Sequence, residues 1–192
     1  GSINMAPIGT NFISLDPLTV ATPSGFIKSR HLDDKASSAV LLTLAREVAE
    51  GRVTLGRQTT VVFTVYEEVG HGASPLYKMD IDDLVAVDMG CVGDDLACKE
   101  NMVSICAKDS AGPYDYNLTN ELIAIAKEKA LPYAVDIYPR YSSDTATALR
   151  AGLEARYALC GQGVYASHGY ERTHVDGMMA TLTLVSTLAE RK

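Results

Sequence analysis

Acidic side chains occur at three places where regular elements are expected to begin or end. Asp33 and Asp34 precede the first helical pattern. Glu67 and Glu68 follow one strand-like apolar run, and Asp88 follows another. Because the carboxyl ends of neighbouring parallel strands meet at one edge of a sheet, these carboxylates are expected to share a crevice. Like charges repel there unless a proton or a cation offsets them, so the pattern indicates a metal site.

Two histidines in a C-terminal segment, His168 and His174, supply the second ligand type. Carboxylate and imidazole together suit Zn²⁺, Co²⁺ or Mn²⁺. His31 and His71 flank the acidic pairs, but a single histidine beside charges is more often a surface residue or a partner of a ligand. The combination of acidic sites and histidines favours a metal-dependent hydrolase.

Each acidic site taken alone also has a purely structural interpretation. Asp33 and Asp34 are typical of a helix N-cap and its first turn, which the helix dipole favours. Glu67 and Glu68 would fit a solvated loop, and Asp88 a turn after a strand.

Hydrophobic periodicity predicts strands that alternate with helices. Helical spacing is found at Ala36–Val48, before Gly51, and again over residues 117–130, 145–151 and 175–190. Apolar runs over residues 59–65, 84–87 and 102–107 are typical of strands buried on both faces. The predicted fold is α/β, a three-layer αβα sandwich around a mixed, mostly parallel sheet.

The first 30 residues have a different pattern from the rest. Short apolar runs, including Phe12–Leu15 and Thr19–Ala21, alternate with turn formers, and Pro23-Ser24-Gly25 predicts a hairpin. Gly1-Ser2 resembles the remnant of a cleaved affinity tag.

The composition excludes several classes of protein. Of the 192 residues, 47% are hydrophobic and 21% charged, which is typical of a globular domain. A net charge of −7 without basic runs argues against nucleic acid as a partner. No apolar stretch approaches the ~20 residues of a membrane span, and without a secretory signal a cytoplasmic location is the default expectation. The four cysteines, which form no C-x-x-C pair, are expected to be reduced thiols.

Five sequence blocks, in this order, resemble the glutamyl, deblocking and TET aminopeptidase family of two-metal peptidases. They are His31-Leu-Asp-Asp-Lys-Ala36, Thr64-Val-Tyr-Glu-Glu-Val-Gly70, Val87-Asp-Met-Gly90, Ser143-Asp-Thr-Ala146 and Glu171-Arg-Thr-His174. The resemblance implies an aminopeptidase that acts on peptides with two divalent ions, Zn²⁺ or Co²⁺, and that forms a homo-oligomer. It further implies that residues 31–192 are part of a catalytic domain and that residues 1–30 end an inserted PDZ-like β domain.

The resemblance also implies a role for each site residue. Asp33 would bridge the two ions, Glu68 would bind one and Asp88 the other. Glu67 would be the general base for the attacking water. His174 is the preferred histidine ligand by its place before the last helix, and His168 is the alternative. Asp34, Asp144 and His168 are otherwise expected beside the ligands or the substrate.

One family feature is missing from the sequence. The family has a further histidine ligand, in a His-x-Asp-like motif within an N-terminal segment of the catalytic domain, and no such motif occurs here. The chain is therefore expected to be a C-terminal part of a longer enzyme, truncated at the N-terminus of the domain and inactive by itself. A two-metal deacylase or amidohydrolase of the same fold and a non-catalytic assembly module are the alternative functions.

Overall fold

The computed structural model describes residues 14–192, in which helices and strands alternate. The strands are β1 Val20–Ala21, β2 Phe26–Ser29, β3 Asp83–Val87, β4 Gly90–Val92, β5 Val103–Lys108, β6 Tyr133–Ile137, β7 Arg156–Tyr165 and β8 Glu171–His174. The α-helices are α1 Leu32–Ala49, α2 Tyr116–Glu128, α3 Asp144–Arg150 and α4 Val175–Glu190. Short 3-10 helices span Glu67–Val69 and Ser74–Lys78.

Within residues 14–192 the strands form one open mixed sheet, in the order β1-β2-β8-β7-β5-β6, with β3 and β4 also pairing with β7. The pairs β3–β7, β4–β7 and β5–β6 are parallel. The pairs β1–β2, β2–β8, β5–β7 and β7–β8 are antiparallel. The α/β class is confirmed. Antiparallel pairing is extensive because β7 runs against β5 and turns back directly into β8.

Side chains on the two faces of β7 enter different cores. Ala158 and Cys160 pack with buried residues of α1, α2 and α4, whereas Leu159 between them packs with a second cluster that includes Met89. This separation follows from the strand geometry, in which successive side chains point to opposite faces. Helix α3 packs with the 3-10 helix Ser74–Lys78 in a third, smaller cluster. The sheet therefore carries helices on both faces.

The helices begin and end close to the predicted positions. Helix α1 is followed by Glu50 and by Gly51, whose φ of 73° is a left-handed conformation that favours glycine. Asp115 caps α2 by accepting a hydrogen bond from the Leu118 amide. None of the helices in the described residues combines the length and the apolarity that crossing a membrane requires.

The predicted hairpin is formed by β1 and β2, and β2 joins the sheet through β8. The earlier apolar run falls partly outside the described residues, since Phe12 and Ile13 precede residue 14.

The predicted strand over residues 59–65 is not formed. This part of the chain makes no strand pairing within the described residues, and Val65 is 85% exposed. We call residues 57–65 the open segment. A groove of about 1140 Å³ separates it from β3 and is lined further by apolar residues of α1 and α4. The prediction was wrong because strand-like composition is not enough: the groove keeps this run away from β3, so no ladder of backbone hydrogen bonds forms between them within the described residues.

The open segment is held at both ends. At one end the Arg57 guanidinium donates a 3.0 Å hydrogen bond to the Asp83 carboxylate, at the start of β3. At the other end the Thr64 hydroxyl donates a 2.5 Å hydrogen bond to the Asp144 carboxylate. The 3-10 helix with Glu67 and Glu68 follows directly, so these contacts determine where the two glutamates lie.

Candidate metal centre

Asp33 lies at the start of α1, where the backbone is not yet helical. Asp33 and Asp34 have non-helical dihedral angles and are joined by a cis peptide bond. The preceding Leu32 is buried and anchors this turn in the cluster that includes Met89 and Leu159. Both aspartate side chains lie close to Asp88, which follows β3, and that of Asp33 also contacts Ser167, which follows β7.

One group of possible ligands consists of Asp33, Glu68 and His168. One ligand atom from each lies within 4.8 Å of the other two. The His168 Nε2 atom is 3.2 Å from both Asp33 Oδ2 and Glu68 Oε2. The Ser167 hydroxyl donates a 2.6 Å hydrogen bond to Asp33 Oδ2. Two carboxylates and an imidazole thus surround one point, a donor set that suits a borderline divalent cation.

A second group consists of Asp33, Asp34 and Asp88, with ligand atoms again within 4.8 Å of one another. Asp88 follows β3, and β7 passes so close to its carbonyl that a Cβ at Gly161 would lie 1.4 Å from that oxygen. Only glycine is compatible with this approach. Asp33 belongs to both groups, so they adjoin each other.

The carboxylates of the second group repel one another, and this repulsion adds to the effect of burial on their pKa values. Burial, reinforced by the charge of Asp88, raises the pKa of Asp34, and burial together with Asp33 raises the pKa of Asp88. The Asp34 Oδ1 atom is buried and has no hydrogen-bond partner within the described residues. A buried oxygen of this kind is costly unless something positive or protonated contacts it. A divalent cation fits this requirement.

Glu67 lies next to the ligand groups without belonging to either of them. Burial raises its pKa from 4.5 to about 7, and the charges of Asp144, Glu68 and Asp33 contribute. Burial and the charge of Asp33 also raise the pKa of Glu68. A carboxyl group that has a pKa near 7 and lies close to the ligands without being one of them has the properties of a general base.

Asp144, at the start of α3, holds the turn that carries the two glutamates. Besides the hydroxyl of Thr64, it accepts a 2.8 Å hydrogen bond from the Ala73 amide. A Cβ at Gly72 would lie 2.6 Å from Asp144 Oδ1, so the turn can approach only because residue 72 is glycine.

The structure places His174, the histidine preferred from the sequence, away from the acidic cluster, with its ring engaged in other contacts. Its Nδ1 accepts a hydrogen bond from the Asp176 amide and so caps α4, and its Nε2 is 2.8 Å from the carbonyl oxygen of Ser24. The ring also meets Phe26 edge-on at 4.8 Å. The structure brings His168, and not His174, to the acidic cluster.

A smaller cavity of about 220 Å³ opens beside the first ligand group. Besides Asp33, Glu67 and His168, it is lined by Tyr138, Arg140, Tyr141 and Leu159. Sequence analysis missed these last four residues, since a tyrosine or an arginine in a loop carries no spacing signal. Tyr141 meets the His168 ring edge-on at a centroid distance of 6.5 Å. The cavity is large enough for a small side chain or the end of a peptide.

The chain belongs to the M42 glutamyl aminopeptidase family, whose sequence profile matches residues 6–184. It is 42% identical over 175 residues to YhfE of Bacillus subtilis (strain 168), a protein provisionally named an aminopeptidase. The alignment covers 91% of this chain and 51% of that protein. The chain therefore spans about half the length of the relative it matches.

Solved structures with the same fold include two TET peptidases. The TET aminopeptidase of the marine sediment archaeon Thaumarchaeota archaeon SCGC AB-539-E09 superposes with a TM-score of 0.82 at 16% identity, over 90% of this chain and 52% of that one. The TET1 peptidase of Pyrococcus horikoshii, described as assembling into a tetrahedron or a large octahedral shell, superposes with a TM-score of 0.77 at 19% identity. That match covers 89% of this chain and 52% of that one.

Proposed function

We propose that this chain is part of the catalytic domain of a metal-dependent aminopeptidase that removes N-terminal residues from peptides. The observation that carries the proposal is the meeting of Asp33, Glu68 and His168 within 4.8 Å, with Asp33 shared by a second acidic group. Family membership supports the choice of a peptidase among the possible metal hydrolases. Residues 31–192 are assigned to the catalytic domain and residues 1–30 to the end of an inserted β domain.

The residues have distinct roles in this proposal. Asp33, Glu68 and His168 would hold one ion, and Asp33 and Asp88 a second, with Zn²⁺ or Co²⁺ as the expected metals. When bound, a pair of such ions polarises the scissile carbonyl and lowers the pKa of the attacking water towards ~7. Glu67 takes the proton from that water and passes it to the leaving amine. Asp144 keeps the Glu67–Glu68 turn in place.

The two ion sites are expected to differ in strength in the 192-residue chain. The first contains an imidazole, whereas the second consists of carboxylates alone, which bind borderline cations less selectively. We propose that this chain by itself holds a single ion, bound weakly at the first group, and has little aminopeptidase activity. A longer protein that contains it would complete the second site. By analogy with TET1, it would form a homo-oligomer.

The role of Glu67 is tested by Glu67→Gln in such a longer protein. Activity on aminoacyl-p-nitroanilides should fall by about 10²–10⁴-fold while the metal content stays near that of the wild type. Glu154→Gln, at an exposed residue away from the site, is the matched control. Loss of metal in Glu67→Gln would mean that Glu67 is a ligand. Preferred hydrolysis of N-acylated amino acids by the wild type would identify a deacylase instead.

The choice between the two histidines is tested in the 192-residue chain with a pair of alanine variants. His168→Ala should abolish calorimetrically detectable Co²⁺ binding, because it removes the one imidazole of the first group. His174→Ala should leave the Co²⁺ affinity unchanged and lower stability by roughly 1 kcal/mol through loss of the α4 cap. The reverse pattern in the Co²⁺ titrations would restore His174 as the ligand.

A further inference from the structure

Glu171 is a buried carboxylate that the proposed chemistry does not use. It lies at the start of β8 and is 1% exposed. Its Oε2 atom accepts a 3.0 Å hydrogen bond from the Asp33 amide, and its Oε1 atom accepts a 2.9 Å hydrogen bond from the His168 amide. One side chain thus contacts the main chain of two candidate ligands that are far apart in sequence.

The position of β8 explains why Glu171 can reach both ligands. On one side, β8 pairs with β2, and Glu171 lies opposite Ser29, shortly before Asp33. On the other side, the loop that carries His168 joins β7 to β8. The strand is well anchored, since the Thr173 hydroxyl donates a 2.7 Å hydrogen bond to the Gly163 carbonyl on β7. Glu171 therefore lies on a rigid strand between two less regular segments, the non-helical start of α1 and the loop that joins β7 to β8.

Both candidate ligands depend on such a contact to keep their backbone in place. The Asp33 backbone departs from helical geometry, and His168 has a φ of 65°, which non-glycine residues adopt at a cost. An ionised carboxylate that accepts two main-chain amides forms charge-assisted hydrogen bonds, which are shorter and stronger than neutral ones. We propose that Glu171 is a positioning residue that holds Asp33 and His168 at the separation a metal ion requires. This inference rests on the proposed metal centre.

The test is Co²⁺ titration of the full 192-residue chain, wild type against Glu171→Gln, by calorimetry and visible absorption. A glutamine keeps one acceptor oxygen and presents an NH₂ group to the other amide, so one of the two hydrogen bonds is lost. We expect the Co²⁺ affinity to fall by about 10–100-fold, the usual cost of losing a partner that orients a metal ligand. Hydrogen exchange in the metal-free chain should show faster exchange at the Asp33 amide, the His168 amide or both.

Glu100→Gln is the matched control for loss of a buried carboxylate. Glu100 is 8% exposed, and its hydrogen bonds are made to Arg172, the neighbour of Glu171, and not to a candidate ligand. It should lower the thermal midpoint without changing the Co²⁺ affinity. Equal losses of affinity in Glu100→Gln and Glu171→Gln would reduce Glu171 to a general stabilising role and overturn the proposal.

Glu171→Asp distinguishes the effect of the negative charge from the effect of side-chain length. It also provides a second test if Glu171→Gln fails to fold. The shorter side chain keeps the charge but cannot span both amides, so Co²⁺ affinity should remain below that of the wild type. Full wild-type affinity in Glu171→Asp would overturn the positioning role and leave the metal centre intact. If the wild-type chain bound no Co²⁺ while both amides were protected, the metal centre itself, and with it this role of Glu171, would be refuted.

Discussion

Two apolar runs of similar composition differ in this molecule: one forms a buried strand, and the other stays exposed and unpaired within the described residues. Strand β5 lies between β6 and β7, and its Val103 and Ile105 are fully buried. The open segment has the same strand-like character, yet Phe63 is 48% and Val65 85% exposed. The difference lies in the neighbours, because a strand is buried only when other strands bond to its edges and helices cover its faces.

The candidate metal centre takes its residues both from the paired strands and from the neighbourhood of the open segment. Asp33 and His168 are attached to the paired strands through Glu171. Glu67 and Glu68 follow the open segment and are held there through Asp144. One half of the site therefore depends on a well-packed core, and the other half on a segment with few packing partners. Three experiments test this contrast, in order of decreasing expected effect.

Hydrogen exchange should show the largest difference. Amides of β5 are expected to exchange only through global unfolding, whereas those of residues 59–65 lie outside any strand ladder and should exchange through local fluctuations. The exchange rates should differ by at least ~10³-fold. Mass spectrometry of peptic fragments measures this directly. Comparable protection in both regions would mean that another chain covers the open segment in solution.

A matched pair of valine substitutions should show an intermediate difference. Val103→Ala removes two methyl groups from the core and should lower the free energy of unfolding by about 2 kcal/mol. Val65→Ala removes the same groups from an 85% exposed side chain and should change the free energy of unfolding by less than about 0.5 kcal/mol. Urea denaturation of both variants gives the comparison. A large loss in Val65→Ala would contradict the exposure of this segment.

Self-association should show the smallest effect. Among residues 14–192, β3 is paired along one edge only, and its other edge and the exposed side chains of the open segment form the kind of surface that pairs with a second chain. Phe63→Lys should weaken concentration-dependent association by roughly tenfold, because it removes an aromatic contact and adds a charge. Tyr116→Lys, at an exposed aromatic residue on α2, is the control. Sedimentation velocity over a range of concentrations measures both, and a strictly monomeric wild type would refute the expectation.

Much of the fold could be predicted because its signals are local. Helices α1, α2 and α4 follow from the spacing of apolar residues, and the β1–β2 hairpin from Pro23-Ser24-Gly25. The convergence of Asp33 with Asp88 and with Glu68 was also predictable, since each follows or precedes a regular element at the same edge of the sheet. These inferences need only the period of the element and the place where it ends.

The remaining features depended on which groups meet in three dimensions. Residues 59–65 carry a strand pattern, but a pattern cannot supply the strand that must pair with it. On β8, alternate side chains point to opposite faces, so Glu171 is buried beside the ligands while His174 turns towards the β1–β2 hairpin. His168 reaches Asp33 and Glu68 from a loop whose path depends on tertiary contacts. Residue types and their order therefore determined most of the elements and the acidic cluster, whereas only tertiary packing decided which histidine lies beside that cluster, because a side chain's direction depends on the backbone that its neighbours hold in place.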